Sequence, residues 1–194
     1  MTDQPSRVDV DLPDWLSRFA AKTSYLESLE DRMDFVIEAS EANIEAETGG
    51  PFAAAVFEID TGRLVSLGVN LVLALNLSVF HAEIVAMTLA QRKLKTFDLG
   101  GQNLPRHELV TSTEPCAMCF GAIPWSGIVR VVSGARNADA RRIGFDEGPK
   151  PRAWRAALEQ RGIEVMSDIQ RNKAKAVLSN YVRCGGQIYN SRGW

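Results

Sequence analysis

Hydrophobic positions first recur at helical spacing between Leu29 and Glu47. Met33, Val36, Ile37, Ser40 and Ile44 fall on one face and acids populate the rest, which predicts an amphipathic helix stopped by Gly49-Gly50-Pro51. The period then changes. Phe52 to Ile59 is an apolar run of strand length, Asp60-Thr61-Gly62-Arg63 has turn composition, and Leu64 to Asn70 is a second run, so this segment predicts an antiparallel hairpin. Leu71 to Phe80 is apolar without a period and is expected to be a loop. Helical spacing returns at His81, with Ile84, Val85, Thr88 and Leu89 on one face as far as about Lys95.

Further along, Leu109 to Ser112 predicts a short strand, and Glu114-Pro115-Cys116 turns it into a third helix. Pro124 should end or kink that helix near Ile123, because a proline in a helix interior loses a hydrogen bond and clashes with the preceding turn. Strands are then expected over Ile128–Val132 and Ile163–Met166, and helices over Arg136–Ile143, Trp154–Gln160 and Ile169 to about Tyr181, with a loop from Gly144 to Pro151. Before all of this, residues 1–27 form an N-terminal arm whose short apolar stripe is Trp15, Leu16, Phe19 and Ala20. A hairpin followed by helix-separated strands implies an α/β fold, a mixed sheet with helices on both faces. No repeat or linker interrupts it, so residues 1–194 are expected to be one domain.

Composition narrows the function more than the fold. Apolar residues are 45% and charged residues 24% of the 194, ordinary for a globular protein. The net charge of −2 argues against a polyanion partner, which would need a basic face. A small uncharged substrate fits better, and no nucleic acid or membrane partner is expected. The start lacks a basic segment followed by an apolar run, and nowhere do eighteen apolar residues follow one another, so a cytoplasmic location is expected. Three cysteines with one C-x-x-C do not make a disulfide framework and agree with a reducing compartment; Cys184 is expected to be a small buried apolar residue.

The candidate chemistry lies in His81-Ala82-Glu83 and Pro115-Cys116-Ala117-Met118-Cys119. One imidazole and two thiolates supply three ligands of a tetrahedral zinc site and leave the fourth position for water, as a catalytic site requires. Cys116 and Cys119 share a helix face, and Glu83 is placed to take a proton from the water and deliver it to a leaving group. Other readings of these residues exist. A thioredoxin-like redox pair would leave His81 and Glu83 unexplained, and a non-catalytic zinc module would want a fourth protein ligand. The other histidine, His107, sits in a polar stretch and is expected to be solvated.

The spacing H-x-E followed by P-C-x-x-C resembles the cytidine deaminase superfamily. The similarity runs from about Gly49 to Pro149 and includes Gly49-Gly50-Pro51-Phe52, Asn70 and Gly144-Phe145-Asp146-Glu147-Gly148-Pro149. Within the superfamily the chain is most similar to bacterial guanine deaminases, through the Gly-Phe-Asp-Glu loop, Trp125 and the tail from Gly185. The resemblance implies a three-layer α/β/α sandwich with a five-stranded mixed sheet, a Zn2+ cofactor, a homodimer, and a C-terminal tail (185–194) near the active site. It also implies roles. His81, Cys116 and Cys119 would bind zinc, and Glu83 would shuttle the proton. Glu147, with Asp146 as the fallback, would be a second carboxylate at the expelled amino group. Phe52 would stack on the base, Asn70 would bond the purine rim, the Ala82 backbone would contact the ring, and Trp125 would wall the pocket.

The expected reaction is therefore deamination of free guanine to xanthine and ammonia. Another small aminated heterocycle is the alternative, such as ammeline, guanosine or cytosine. A tRNA adenosine deaminase should show a basic surface, and a nucleotide deaminase needs phosphate ligands that the chain does not display. Phe80 and the apolar 71–80 loop depart from the guanine deaminase pattern and are expected to reshape the pocket if they face it.

Overall fold

The computed structural model describes residues 4–191. Its elements, in chain order, are α1 (Asp14–Ala20), α2 (Leu29–Glu45), β1 (Ala53–Glu58), β2 (Leu64–Val69), α3 (Val72–Leu75) and α4 (Ala82–Leu94), then β3 (His107–Thr113), α5 (Ala117–Ser126), β4 (Arg130–Ala135), α6 (Asn137–Arg142), α7 (Trp154–Glu159), β5 (Glu164–Met166) and α8 (Arg171–Arg183). The five strands form one mixed sheet in the order β2-β1-β3-β4-β5. β1 runs antiparallel to both neighbours, while β3, β4 and β5 are parallel.

Strand alternation explains the layering. Ala53, Ala55 and Phe57 of β1 point into a core shared with α1, α2 and α8, whereas Ala54 and Val56 point into a second core shared with α4, α5 and α7. Small residues on β1 let helices approach from both sides. The tightest approach is at Gly68, where a Cβ would lie 2.4 Å from the Ala86 backbone nitrogen, so α4 sits almost on β2. The sheet is thus buried on both faces, as the element order predicted. Among the described residues, no helix is long and apolar enough to cross a membrane.

Several local expectations change. The 71–80 segment contains the single turn α3, and Phe80 packs against the core on the α2 side. Helix α5 continues past Pro124 to Ser126, because the proline sits only two residues from an end already set by left-handed Gly127, and the bond it forfeits is a single one. β4 starts two residues later than expected and runs to Ala135. His107 is not solvated. It is fully buried at the start of β3, with Nδ1 2.8 Å from the Leu99 carbonyl oxygen. Cys184 is exposed at the C-cap of α8 and is not a core residue.

A buried ion cluster holds β3 in the middle of the sheet. The Glu108 carboxylate accepts from Arg32 of α2 at 2.5 Å and from Arg130 of β4 at 2.6 Å. Arg32 also donates to the Leu26 carbonyl at 2.8 Å. One acid therefore ties a helix and two strands together, with its charge matched on both oxygens.

Candidate active site

Register places the functional segments at one edge of the sheet. Ala53 pairs with Val69, Ala54 with Thr111, and Thr113 with Ala135. The start of β1 and the ends of β2, β3 and β4 therefore lie side by side, and the residues just beyond them, Phe52, Asn70, Glu114 and Arg136, crowd that edge. Crevices outside the carboxyl ends of parallel strands are where α/β sheets bind ligands. A cavity opens here, lined by Phe52, Asn70, Val72, Ser78, His81, Glu83, Thr111, Thr113, Glu114, Cys116, Phe145, Asp146, Glu147, Tyr189, Asn190 and Ser191.

Two helices begin at this cavity, and both begin on a ligand. His81 is the N-cap of α4 and Cys116 the N-cap of α5, each with extended backbone, while Cys119 lies in the first turn of α5. The ligand atoms of His81, Cys116 and Cys119 lie within 4.8 Å of one another, and Cys116 Sγ is 3.5 Å from His81 Nδ1. A sulfur and a nitrogen bound tetrahedrally to one zinc stand about 3.5 Å apart, given ordinary Zn–S and Zn–N lengths. The donor set and its spacing therefore fit zinc. Among the described residues this is the one such His/Cys/Asp/Glu group.

The electrostatics agree with a cation site. A hydrogen bond from Cys119, opposed by burial and aided by His81, brings the Cys116 thiol down to about 4. Cys119 moves the other way, because it holds that hydrogen bond and is buried. Two helix N-termini favour negative charge at the same point.

Four carboxyl side chains line the cavity, those of Glu83, Glu114, Asp146 and Glu147, and two of them, Glu83 and Glu147, lie well above the usual carboxylate range. Burial raises Glu83 to about 7, with the Cys116 thiolate adding to it. Burial likewise raises Glu147 to about 8, assisted by Cys116 and Glu83. Glu147 is anchored by its own backbone, whose carbonyl accepts from Ala117 at 2.9 Å, and its side chain accepts from Asn137 Nδ2. Asp146 has a different part. Its Oδ1 accepts from Gly148 at 2.9 Å and its backbone nitrogen donates to Asn190 Oδ1 at 2.9 Å, so it shapes the loop and ties it to the tail.

The remaining expected residues divide. Phe52 lines the cavity and packs edge-on against Phe145 with ring centroids 4.9 Å apart. Asn70 is buried; its Oδ1 accepts from Val72 at 3.2 Å, which leaves the amide NH2 as the donor it can offer a ligand. The Ala82 methyl is buried in the core beneath α4, between His81 and Glu83, which line the cavity, so any part Ala82 plays there belongs to its backbone. Trp125 does not wall the cavity of its own chain. It is 84% exposed at the far end of α5, because the helix carries it away from the Cys116 end. Phe80 is also absent from the lining, and Val72 and Ser78 represent the apolar loop there.

Sequence reasoning missed part of the wall. Tyr189 lines the cavity from the tail, with its hydroxyl only 2.1 Å from where a Cβ on Gly50 would lie, so the Gly49-Gly50 turn is the seat of the tail. Its ring meets Phe145 at 5.1 Å. Thr111 and Thr113 also face the site, having looked like ordinary strand residues. The Gly-Gly-Gln-Ile-Tyr-Asn tail was the one available signal, and it pointed to a segment without singling out the tyrosine.

Comparison with known proteins settles the ancestry of this arrangement. The cytidine and deoxycytidylate deaminase zinc-binding region matches residues 26–135, more than half of the chain and all three candidate ligands. The chain belongs to that deaminase family. Among solved structures, the guanine deaminase from Nitrosomonas europaea is 47% identical, with a TM-score of 0.90 over 94% of this chain and 100% of that one. A chain solved in complex with 2,6-diaminopurine is 49% identical, with a TM-score of 0.89 over 95% of this chain and 97% of that one. The guanine deaminase of Bacillus subtilis (strain 168) is 36% identical over 104 residues, which are 54% of this chain and 62% of that protein. The five-stranded mixed sheet layered between helices is therefore this deaminase family's fold, with its zinc-binding region at the two helix starts.

Proposed function

We propose that this deaminase binds zinc through His81, Cys116 and Cys119 and hydrolyses free guanine to xanthine and ammonia. The observation that carries the reading is a cavity onto which the His81/Cys116/Cys119 group opens through His81 and Cys116, with two buried carboxyl groups, Glu83 and Glu147, lining the same cavity. The similarity to solved chains over nearly their whole length, one a guanine deaminase and one in complex with 2,6-diaminopurine, supports the choice of base.

Zinc, when bound, supplies the Lewis acidity that makes water nucleophilic near neutral pH. The protein supplies the rest. Water adds to C2 of guanine, forming a C–O bond, and collapse of the tetrahedral carbon breaks the bond to the exocyclic nitrogen, which departs as ammonia. Glu83 takes the proton lost by the water and returns it to a ring nitrogen; on collapse the C2 hydroxyl gives up its proton, which passes by way of a carboxylate to the exocyclic nitrogen, so that NH2 leaves as NH3 and C2 becomes a carbonyl. Glu147 accepts the N–H donors on the guanine edge and assists the leaving amine. A base without those donors would leave a buried acceptor unpaired, which discriminates against it. Phe52 stacks on the ring, and the Asn70 amide donates to its rim.

The same reading makes the protein a cytoplasmic homodimer that acts on a small base and not on a nucleic acid. Helix α5 carries no charged side chain from Ala117 to Ser126 and ends on exposed Trp125, a surface that a second copy would cover. In that assembly Trp125 would approach the partner's site instead of its own.

Glu83→Ala tests the enzymatic reading. The variant should keep its zinc and its melting temperature while losing nearly all ammonia release from guanine. Unchanged turnover in a zinc-loaded variant would instead indicate a binding module.

A further inference from the structure

Lys150 is an unusual residue for the edge of an active site. Its side chain is 6% exposed, and its ammonium lies 4.0 Å above the centroid of the Trp154 ring. Burying an ammonium is costly unless its donors are used. Two of them go to neutral oxygens: the Pro115 carbonyl at 2.7 Å and Oδ1 of Asn137. The nearest carboxylate, Glu114, is 4.0 Å away and is already engaged. It accepts from Arg155 at 2.9 Å and from the Asn137 backbone nitrogen at 3.1 Å.

The contact with Asn137 has a direction. A carboxamide accepts at one end and donates at the other. With Lys150 on Oδ1, the donor end Nδ2 has to point the other way, and it donates to Glu147 Oε2. The Asn137 backbone nitrogen donates to Glu114, which fixes where the side chain starts, and the direction of the amide is set by its own two partners. Without Lys150 the amide could flip and present its oxygen to the Glu147 carboxyl. One carboxyl oxygen of Glu147 is thus committed behind the site while the group lines the cavity.

We propose that Lys150 is a positioning residue of the deaminase, orienting the Asn137 amide so that Asn137 in turn aims Glu147 at the substrate. The inference rests on the deaminase reading above, which makes Glu147 the second acid.

The test is steady-state ammonia release from guanine by zinc-loaded proteins, with zinc content and melting temperature recorded alongside. Lys150→Met should lower kcat roughly 100-fold, the scale of a misplaced catalytic group, and weaken the preference for guanine over bases lacking its N–H donors, as a misaimed Glu147 requires. Arg155→Met serves as the control, because it removes the other cation on Glu114 without touching Asn137, and its kcat should stay close to wild type. In a Glu147→Gln background, Lys150→Met should add little further loss, since both changes act on one group. If Lys150→Met does not fold, Asn137→Ser breaks the same relay while retaining the buried ammonium, and the same loss and the same epistasis are expected. Wild-type kcat in Lys150→Met or Asn137→Ser, an equal loss in Arg155→Met, or full additivity with Glu147→Gln would overturn the proposal. Wild-type protein that releases no ammonia from guanine would instead overturn the guanine reading, and the relay with it.

Discussion

The two walls of the cavity are built differently. The wall with the candidate zinc ligands comes from two short sequence motifs, each placing its residues at the N-terminus of a helix that is packed on the sheet. The opposite wall comes from the 144–150 loop and the tail, which are joined by side chain to backbone bonds. Asn190 Oδ1 accepts from Asp146 and its Nδ2 donates to the Gly144 carbonyl at 2.8 Å, while the Tyr181 hydroxyl of α8 holds the tail at the Gln187 carbonyl, 2.6 Å away. Glu83 and the three candidate ligands sit at helix starts on the scaffold, whereas Glu147, the proposed second acid, sits on a segment whose position depends on a few bonds. Changes on the first wall should therefore abolish the reaction, and changes on the second should grade it.

The largest effect is expected from Glu83→Ala, which should cut kcat by about 10⁴-fold, the upper range for a lost general acid–base group. Metal content should persist, because the three ligands are untouched. Next is Glu147→Gln, for which a kcat loss of about 100-fold is expected, along with weaker preference for guanine over bases lacking the N–H donors. Comparing kcat/KM across bases checks it, and an unchanged preference would make Glu147 a bystander. Asn190→Ala removes two bonds joining the tail to the loop and should raise KM by up to about 30-fold with a smaller change in kcat, at about 1 kcal/mol net for each bond. An increase confined to kcat effects would contradict the division between walls.

The smallest effect on turnover should come from Glu108→Gln, far from the cavity. It leaves Arg32 and Arg130 sharing a neutral partner in the core, so the fold should lose about 3 kcal/mol of stability while kcat of the folded protein stays near wild type. Denaturant titration beside kinetics measures both.

This contrast also explains what could be read from the chain. His81, Glu83, Cys116 and Cys119 were legible because their spacing is local and the helices that present them are local too. The sheet was legible because its strands are apolar runs bounded by turns, and Gly127 shows why Pro124 misled: the helix was already about to end. His107 and Glu108 were not legible. A polar pair at the start of a strand reads as surface, and its burial depends on the Leu99 carbonyl eight residues earlier and on Arg32 and Arg130, which are distant in sequence. Trp125 shows the opposite failure, since its motif lies at the site but the helix carries its side chain elsewhere. Asn137 and Lys150 gave no signal, because their meaning depends on which end of an amide faces which partner.

The most direct test of the central claim is ammonia release by the zinc-loaded protein across a panel of guanine, guanosine, adenine, cytosine, cytidine, dCMP and ammeline. Guanine should give the highest kcat/KM. Preference for a base without the paired N–H donors would contradict the role given to Glu147, and silence across the whole panel with zinc bound would contradict the deaminase account of this cavity.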